Sequence, residues 1–277
     1  MDETRMAVTG WRCATCGAEV LVATPLAFRC PNATAADRCH VLQIVSGPRI
    51  DPPERQPNTF ATDDQNLAWA SFANAHGMDR ERRNELVEEL DAAIRVVDDA
   101  GFVATPFARS AFLSDELGLS ACGGIWVKDE TGGVGGSQKA RFLFSILLHL
   151  RAAEELGLLV ERPPLAIASC GNAALAAAIL AKAADWPLDV YVPTWMSDGF
   201  GDRLDELGAR VHRSERRNDD PAGDPAMLRF RDAVAEGSVP FTVQGPENAL
   251  CLDGGRTLGW EVCGQAAAAG IAQIDRV

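Results

Sequence analysis

Short apolar segments that alternate with helix-length amphipathic ones predict an α/β protein on a parallel sheet, with a separate metal-clipped unit at its front. Three observations carry this reading. Between Leu165 and Arg213, apolar runs of four or five residues take turns with stretches of helical spacing, the pattern of βαβ units. Four of the eight cysteines, Cys13, Cys16, Cys30 and Cys39, fall within the first forty residues. The 277 residues, 47% of them apolar, suffice for a sizeable buried core.

Taken in order, residues 1–45 form a small unit with its own chemistry. Cys13-Ala-Thr-Cys16-Gly17 sets two thiolates two residues apart, with a glycine for the tight turn beneath a metal. Cys30 and Cys39 complete a set of four soft ligands of the kind that tetrahedral zinc requires, and His40 is a substitute for Cys39. A closed site of this kind is structural and leaves no open catalytic position. The plain alternative is a degenerate ribbon with four reduced, unliganded thiols. Residues 47–58 carry four prolines and read as a linker. From Arg80 to Asp99, Leu86, Val87, Leu90, Ile94 and Val97 recur at helical spacing, and Gly101 is the natural stop. Thr105-Pro106-Phe107 opens an extended stretch, and residues 124–128 are a strand. The glycine-rich loop 131–137 then feeds a helix over 139–156. Beyond it the reading gives a strand at 165–168, a helix at 172–184, a strand at 188–192, a helix at 198–207 and a strand at 209–213. A helix near 227–235, a strand at 241–243 and a helix from near Gly255 follow. Ile274 to Val277 reads as the opening of another strand, so the chain is expected to be C-terminally truncated.

Charge excludes whole classes of function. Twenty-six basic against 39 acidic residues leave a net charge of −13, and the basic footprint of a nucleic-acid or anionic-membrane binder is missing. No apolar run approaches ~18 residues, and Asp2 and Glu3 do not suit a secretory leader. The expectation is a cytoplasmic protein with no nucleic-acid and no membrane partner. Clustered cysteines in such a chain point to metal before disulfides.

Only three lysines stand against twenty-three arginines, so chemistry that needs an amine has three candidates. Lys139 follows the glycine loop and begins a helix, where the helix dipole disfavours a positive charge and eases loss of a proton. That suits an amine that attacks an aldehyde. Lys128 lies in a Lys-Asp-Glu cluster and is expected to be salt-bridged; Lys182 sits late in an alanine-rich helix. The loop is not a P-loop, because Gln138 precedes Lys139 and Ala140 follows it, and it fails the dinucleotide spacing as well. A second turn, Ser169-Cys170-Gly171-Asn172, lies between a strand and a helix, at the sheet edge where α/β proteins bind ligands. Helix N–H groups there favour a carboxylate. The bland reading is that Asn172 caps the helix and Gly171 makes the turn.

Together these parts resemble the fold-type II pyridoxal-phosphate-dependent enzymes (tryptophan synthase beta-like), and within them the threonine synthase-like branch. The matching segments are Lys128-Asp129-Glu130, Gly136-Ser137-Gln138-Lys139, Ser169-Cys170-Gly171-Asn172, Val190-Tyr-Val-Pro193 and Gly254 to Glu261, over roughly residues 100–277. The resemblance implies an architecture of parallel three-layer sandwiches. The zinc-ribbon-like unit would occupy 1–45 and the first part of a large cofactor-binding domain 46–162. A small Rossmann-like domain would follow at 163–248, then an incomplete return to the large domain at 249–277. It implies pyridoxal 5'-phosphate as cofactor beside a structural zinc, with Lys139 as the Schiff-base lysine and Asn172 bonded to the ring's O3′. The Ser169, Cys170, Gly171, Asn172 turn would receive the carboxylate of a small amino-acid substrate. The implied activity is β- or γ-elimination or replacement, of threonine synthase, dehydratase or ammonia-lyase type, and the assembly it allows is a homodimer. Gln138 and Ala140 depart from the residues usual beside that lysine, and the family's phosphate cup lies downstream of Val277. The rival functions are a non-catalytic or truncated relative whose ribbon mediates contacts, and a nucleic-acid adaptor, which the negative charge disfavours.

Overall fold

The computed structural model describes residues 5–51 and 56–277. Asp2, Glu3 and two of the linker prolines, Pro52 and Pro53, lie outside the described residues. The front unit is a three-stranded antiparallel sheet, with β1 (Val8–Cys13) between β2 (Glu19–Leu21) and β3 (Leu42–Ser46). Trp11 of β1 is buried and belongs to the same apolar cluster as the helices behind it. The unit also leans on the far end of the chain. Ala249 donates its N–H to the Phe28 carbonyl at 2.8 Å. The buried Glu247 carboxylate meets Arg29 at 3.5 Å, Arg38 at 3.8 Å and Arg231 at 2.7 Å.

Three helices follow: α1 (Thr59–Thr62), α2 (Ala68–Ala75) and α3 (Arg80–Asp98). The first two were not foreseen, because the polar run 62–66 interrupts the stretch and the apolar residues around it show no helical stripe. Asp79 caps α3 by accepting from the Arg82 N–H at 2.8 Å. The helix ends before the expected Gly101: Asp99 takes the left-handed conformation (φ 55°) and closes it. Next come β4 (Phe107–Ser110), α4 (Ala111–Glu116) and β5 (Ile125–Lys128). β4 and β5 pair antiparallel as a ribbon of their own, apart from the parallel sheet.

After the glycine loop, α5 (Lys139–Glu155) runs through the core. The parallel sheet is built from β6 (Leu165–Ala168), β7 (Leu188–Pro193), β8 (Arg210–Ser214) and β9 (Val239–Pro240), in the order β8-β7-β6-β9. Helices α6 (Asn172–Ala183), α7 (Asp198–Glu206) and α8 (Pro225–Ala235) connect them. Leu165 and Ile167 join the large core with α6, while Ala166 and Ala168 pack with Phe230 of α8, so alternate residues serve the two faces. The last strand lies two residues before the expected 241–243. Val239 and Phe241 donate to the Pro164 and Ala166 carbonyls, and there the pairing stops. At the outer edge, the Arg210 guanidinium and His212 both bond the Asp189 carboxylate of β7. Residues 271–277 have no regular structure, so the strand expected at Ile274–Val277 does not form among the described residues.

Helix α9 (Cys251–Ala268) starts four residues before the expected Gly255 and lies along α5. Glycine makes this approach possible: a Cβ at Gly254 would stand 1.9 Å from the Arg141 carbonyl oxygen. Gly254→Ala must push the two helices apart, and it is expected to cost about 1–3 kcal/mol or more of stability, read as a lower denaturation midpoint.

His149 of α5 is 1% exposed, stacks on Phe72 at 4.2 Å, and neither ring nitrogen has a hydrogen-bond partner. Burial, and secondarily the nearby His76, push its pKa down to about 3, so the ring is neutral. The unfolded chain binds this proton near pH ~6.5 while the folded chain resists it. Stability from this residue is complete above that pH and falls as the pH drops toward 3. Urea midpoints of His149→Leu should therefore vary less than those of the parent between pH 6.5 and 4.5, with a difference in slope of up to ~1 kcal/mol per pH unit.

Candidate functional site

The glycine loop is shaped by backbone that only glycine adopts readily. Gly135 and Gly136 both have positive φ, 65° and 64°. The Gly135 N–H is held by the Asp98 carboxylate at the end of α3, at 2.7 Å. A Cβ on Gly135 would touch Ala176 and Ile179 of α6 at 3.5–3.6 Å, so the loop rests on that helix one to two turns in from Asn172. The loop and α5 both pack against α6. Lys139 is the first residue of α5, half-buried, with its backbone N–H 3.4 Å from the Ser137 hydroxyl. Its ammonium lies 5.8 Å from the Phe142 ring and bonds no oxygen among the described residues.

The other two lysines are engaged. Lys128 donates to Glu261 at 2.6 Å, the Thr105 carbonyl at 2.7 Å and Gln265 at 2.8 Å. The expected salt bridge is present, formed with α9 and not with its neighbours in sequence. Lys182 donates to the carbonyl of Glu206, the last residue of α7, at 3.0 Å.

Beneath the loop lies a group that residue-by-residue reading missed. Arg141, 3% exposed, binds Glu130 through Nε (2.7 Å) and Nη2 (3.1 Å), and Glu261 through Nη1 (2.7 Å) and Nη2 (3.2 Å). Burial works against its charge, but Glu261 and then Glu130 outweigh it and hold the guanidinium firmly protonated. The sequence did carry a signal: Arg141 leads directly into a mostly apolar helix run, and a charge in such a setting needs a partner.

The second turn sits where the topology predicts ligands. β7 and β8 extend the sheet to one side of β6 and β9 to the other, so the chain end of β6 is a switch point. Ser169, Cys170 and Gly171 are half-buried there, and Asn172 is exposed. Gly171 is the cap of α6 and Asn172 its first residue, with no side-chain capping bond. The bland reading of Asn172 as a cap is thereby removed. Its amide and the free N–H groups of the first helical turn face outward as donors. An amine without an oxygen partner among the described residues, together with a donor-rich turn, is a fit donor set for a group that carries an aldehyde and acidic oxygens.

In the front unit, the ligand atoms of Cys13, Cys16, Cys30 and His40 lie within 4.8 Å of one another. Cys13 Sγ is 3.4 Å from His40 Nδ1, and Cys16 Sγ is 3.6 Å from Cys30 Sγ. A zinc tetrahedron with thiolate bonds near ~2.3 Å has edges of about 3.7 Å, so the set fits that ion. The fourth member of the group is His40, the expected substitute, and not Cys39. The Cys39 side chain is exposed and outside the group, while its carbonyl accepts from Thr15. The stretch from Cys30 turns Cys39 outward and its neighbour inward. The Asp37 carboxylate, 3.3 Å from Nε2, orients the imidazole. Burial opposes ionisation of Cys13, but the Cys16 and Thr15 N–H groups, with the Cys16 and His40 side chains, draw its pKa down. His40 is raised, chiefly by that bond to Cys13.

Among the described residues, no helix is long and apolar enough to cross a membrane. Solved structures resemble parts of this chain at low identity. Diaminopropionate ammonia lyase of Escherichia coli, in complex with D-serine, is 20% identical with a TM-score of 0.50, over 69% of this chain and 50% of its own. Maize serine racemase is 18% identical with a TM-score of 0.46, over 66% and 50%. Threonine deaminase isoform 2 of Solanum lycopersicum is 18% identical with a TM-score of 0.46, over 89% and 56%. The chain thus spans about half the length of these proteins. No curated protein sequence matches it. The family profile described as "Pyridoxal-phosphate dependent enzyme" matches residues 99–277, a span that holds the glycine loop, Lys139 and the Ser169–Asn172 turn. This chain belongs to the pyridoxal-phosphate-dependent enzymes of fold-type II.

Proposed function

We propose that this chain carries the amine and substrate-turn portion of a pyridoxal-phosphate-dependent lyase or synthase acting on a small amino acid, by β- or γ-elimination or replacement in the manner of threonine synthases and dehydratases. One observation supports the reading: among the described residues Lys139 is the lysine without an oxygen partner, and it directly follows the glycine loop that rests on α6.

Lys139 Nζ would hold the cofactor, and the Asn172 amide would bond its ring oxygen. When bound, the cofactor supplies an electron sink for the substrate's α-carbon. The protein's own groups do the rest. The Ser169–Asn172 turn receives the substrate carboxylate on backbone N–H groups and the Ser169 hydroxyl, which fixes the amino acid's orientation. Lys139 Nζ, once released, takes the α-proton and returns it, the task of a positioned general base and acid. Lys128, tied to Glu261, stays out of the reaction.

A structural zinc on Cys13, Cys16, Cys30 and His40 completes the reading, with Cys39 outside the set. Its support is the close grouping of four suitable ligand atoms and the carboxylate behind the imidazole. It closes the front sheet, which in turn braces the segment before α9.

Incubation with pyridoxal phosphate followed by borohydride should leave a pyridoxyl mass on the peptide containing residue 139. Lys139→Ala should lose that adduct at least tenfold while keeping its circular dichroism. An undiminished adduct elsewhere in Lys139→Ala would overturn the assignment. Metal analysis should return one zinc per chain. His40→Ala should lose most of it and melt earlier, whereas Cys39→Ser should keep it; the reverse pattern would restore Cys39 as the ligand.

A further inference from the structure

Two lysines flank the glycine loop, and an aldehyde could in principle condense with either. We infer that the buried ion network beneath the loop, made of Lys128, Glu130, Arg141 and Glu261, decides which of them is the nucleophile. The inference rests on the reading of Lys139 as the amine that holds the cofactor.

The geometry does two things at once. Glu130 lies at the entry to the loop and Arg141 at its exit, and the forked contact between them ties both ends together. The length of loop between those anchors, and therefore the placement of Lys139, is fixed by that pair. Glu261 brings α9 into the same contact. Its Oε1 takes Arg141 Nη1 at 2.7 Å, while its Oε2 takes Lys128 Nζ at 2.6 Å and Arg141 Nη2 at 3.2 Å. The Lys128 side chain is 10% exposed and that of Glu261 is 7% exposed, so Nζ is shielded from water and enclosed by three acceptors. An amine held in this way is not placed to reach an aldehyde carbonyl. Two cations and two carboxylates balance, so no charge in the group is left over to be neutralised by Lys139. Its amine is thereby left as the reactive one, held in place by Arg141 two residues further along the same helix.

These four residues do not touch a substrate. They act through the lysines, as positioning groups. The test uses the fact that only three lysine side chains can form stable acetamides. Trace acetic anhydride, read by peptide mass spectrometry, should label Lys128 at least tenfold less than Lys182 in the parent protein. Equal labelling of the two in the parent protein would overturn the inference without any variant. Glu261→Gln keeps the shape and removes the charge. It should raise Lys128 labelling at least tenfold, and pyridoxal phosphate with borohydride should then mark both residues 128 and 139. Glu261→Asp should return part of the protection. A Glu261→Gln protein with unchanged near-ultraviolet dichroism, a still-protected Lys128 and parent-like trapping at Lys139 would also overturn it. If the parent protein traps no pyridoxal phosphate at Lys139, the cofactor reading fails, while the acetylation pattern still judges the network on its own.

Discussion

The contact on which this structure turns is the guanidinium of Arg141 held between two carboxylates. It joins three pieces of chain that are far apart in sequence: the segment entering the glycine loop, the first turn of α5, and α9. Breaking one arm of such a buried group leaves an uncompensated charge, which costs about 3–5 kcal/mol. An apolar trio of similar volume could hold the same helices together. What it could not do is bind Lys128. The charged solution therefore serves placement and selectivity more than stability. The absence of a side chain at Gly254 belongs to the same arrangement, since it lets α9 come close enough for Glu261 to reach.

Much of this was legible beforehand, and the reasons are local. Strands β6 and β7 announce themselves as short apolar runs, and α5 and α7 as helix-length segments, because each element has a buried side and must show it. Lys139 stood out because a lone lysine after four glycines has few structural uses. What escaped were contacts decided by tertiary closure. Glu261 lies more than a hundred residues from Arg141, and nothing in its neighbourhood marks it as buried. The choice of His40 over Cys39 is equally non-local. Both residues lie on one short loop, and the packing of β3 and the Thr15 contact to the Cys39 carbonyl settle which side chain turns inward. The capping of α3 by Asp99 depends on a non-glycine residue entering a left-handed conformation, which sequence preference argues against.

The front unit is more than an appendage. Its loop between Cys16 and His40 supplies Phe28, Arg29 and Arg38, which meet the segment around Glu247 and Ala249. That segment carries the chain from the parallel sheet into α9, and α9 carries Glu261. Order in the loop between Cys16 and His40 is thus mechanically connected to the network under Lys139, through backbone and ion pairs that can each be named.

The two borders of the parallel sheet have a consequence of their own. On one border stands β8, whose Arg210 is largely exposed while paired to Asp189. On the other, β9 is two residues long and ends in Pro240, which has no N–H to offer a newcomer. A charged rim on one side and a short, proline-closed rim on the other deny foreign strands a template. The sheet is in this way guarded against growing into fibrous assemblies, a hazard that rises whenever such a surface is briefly uncovered during synthesis.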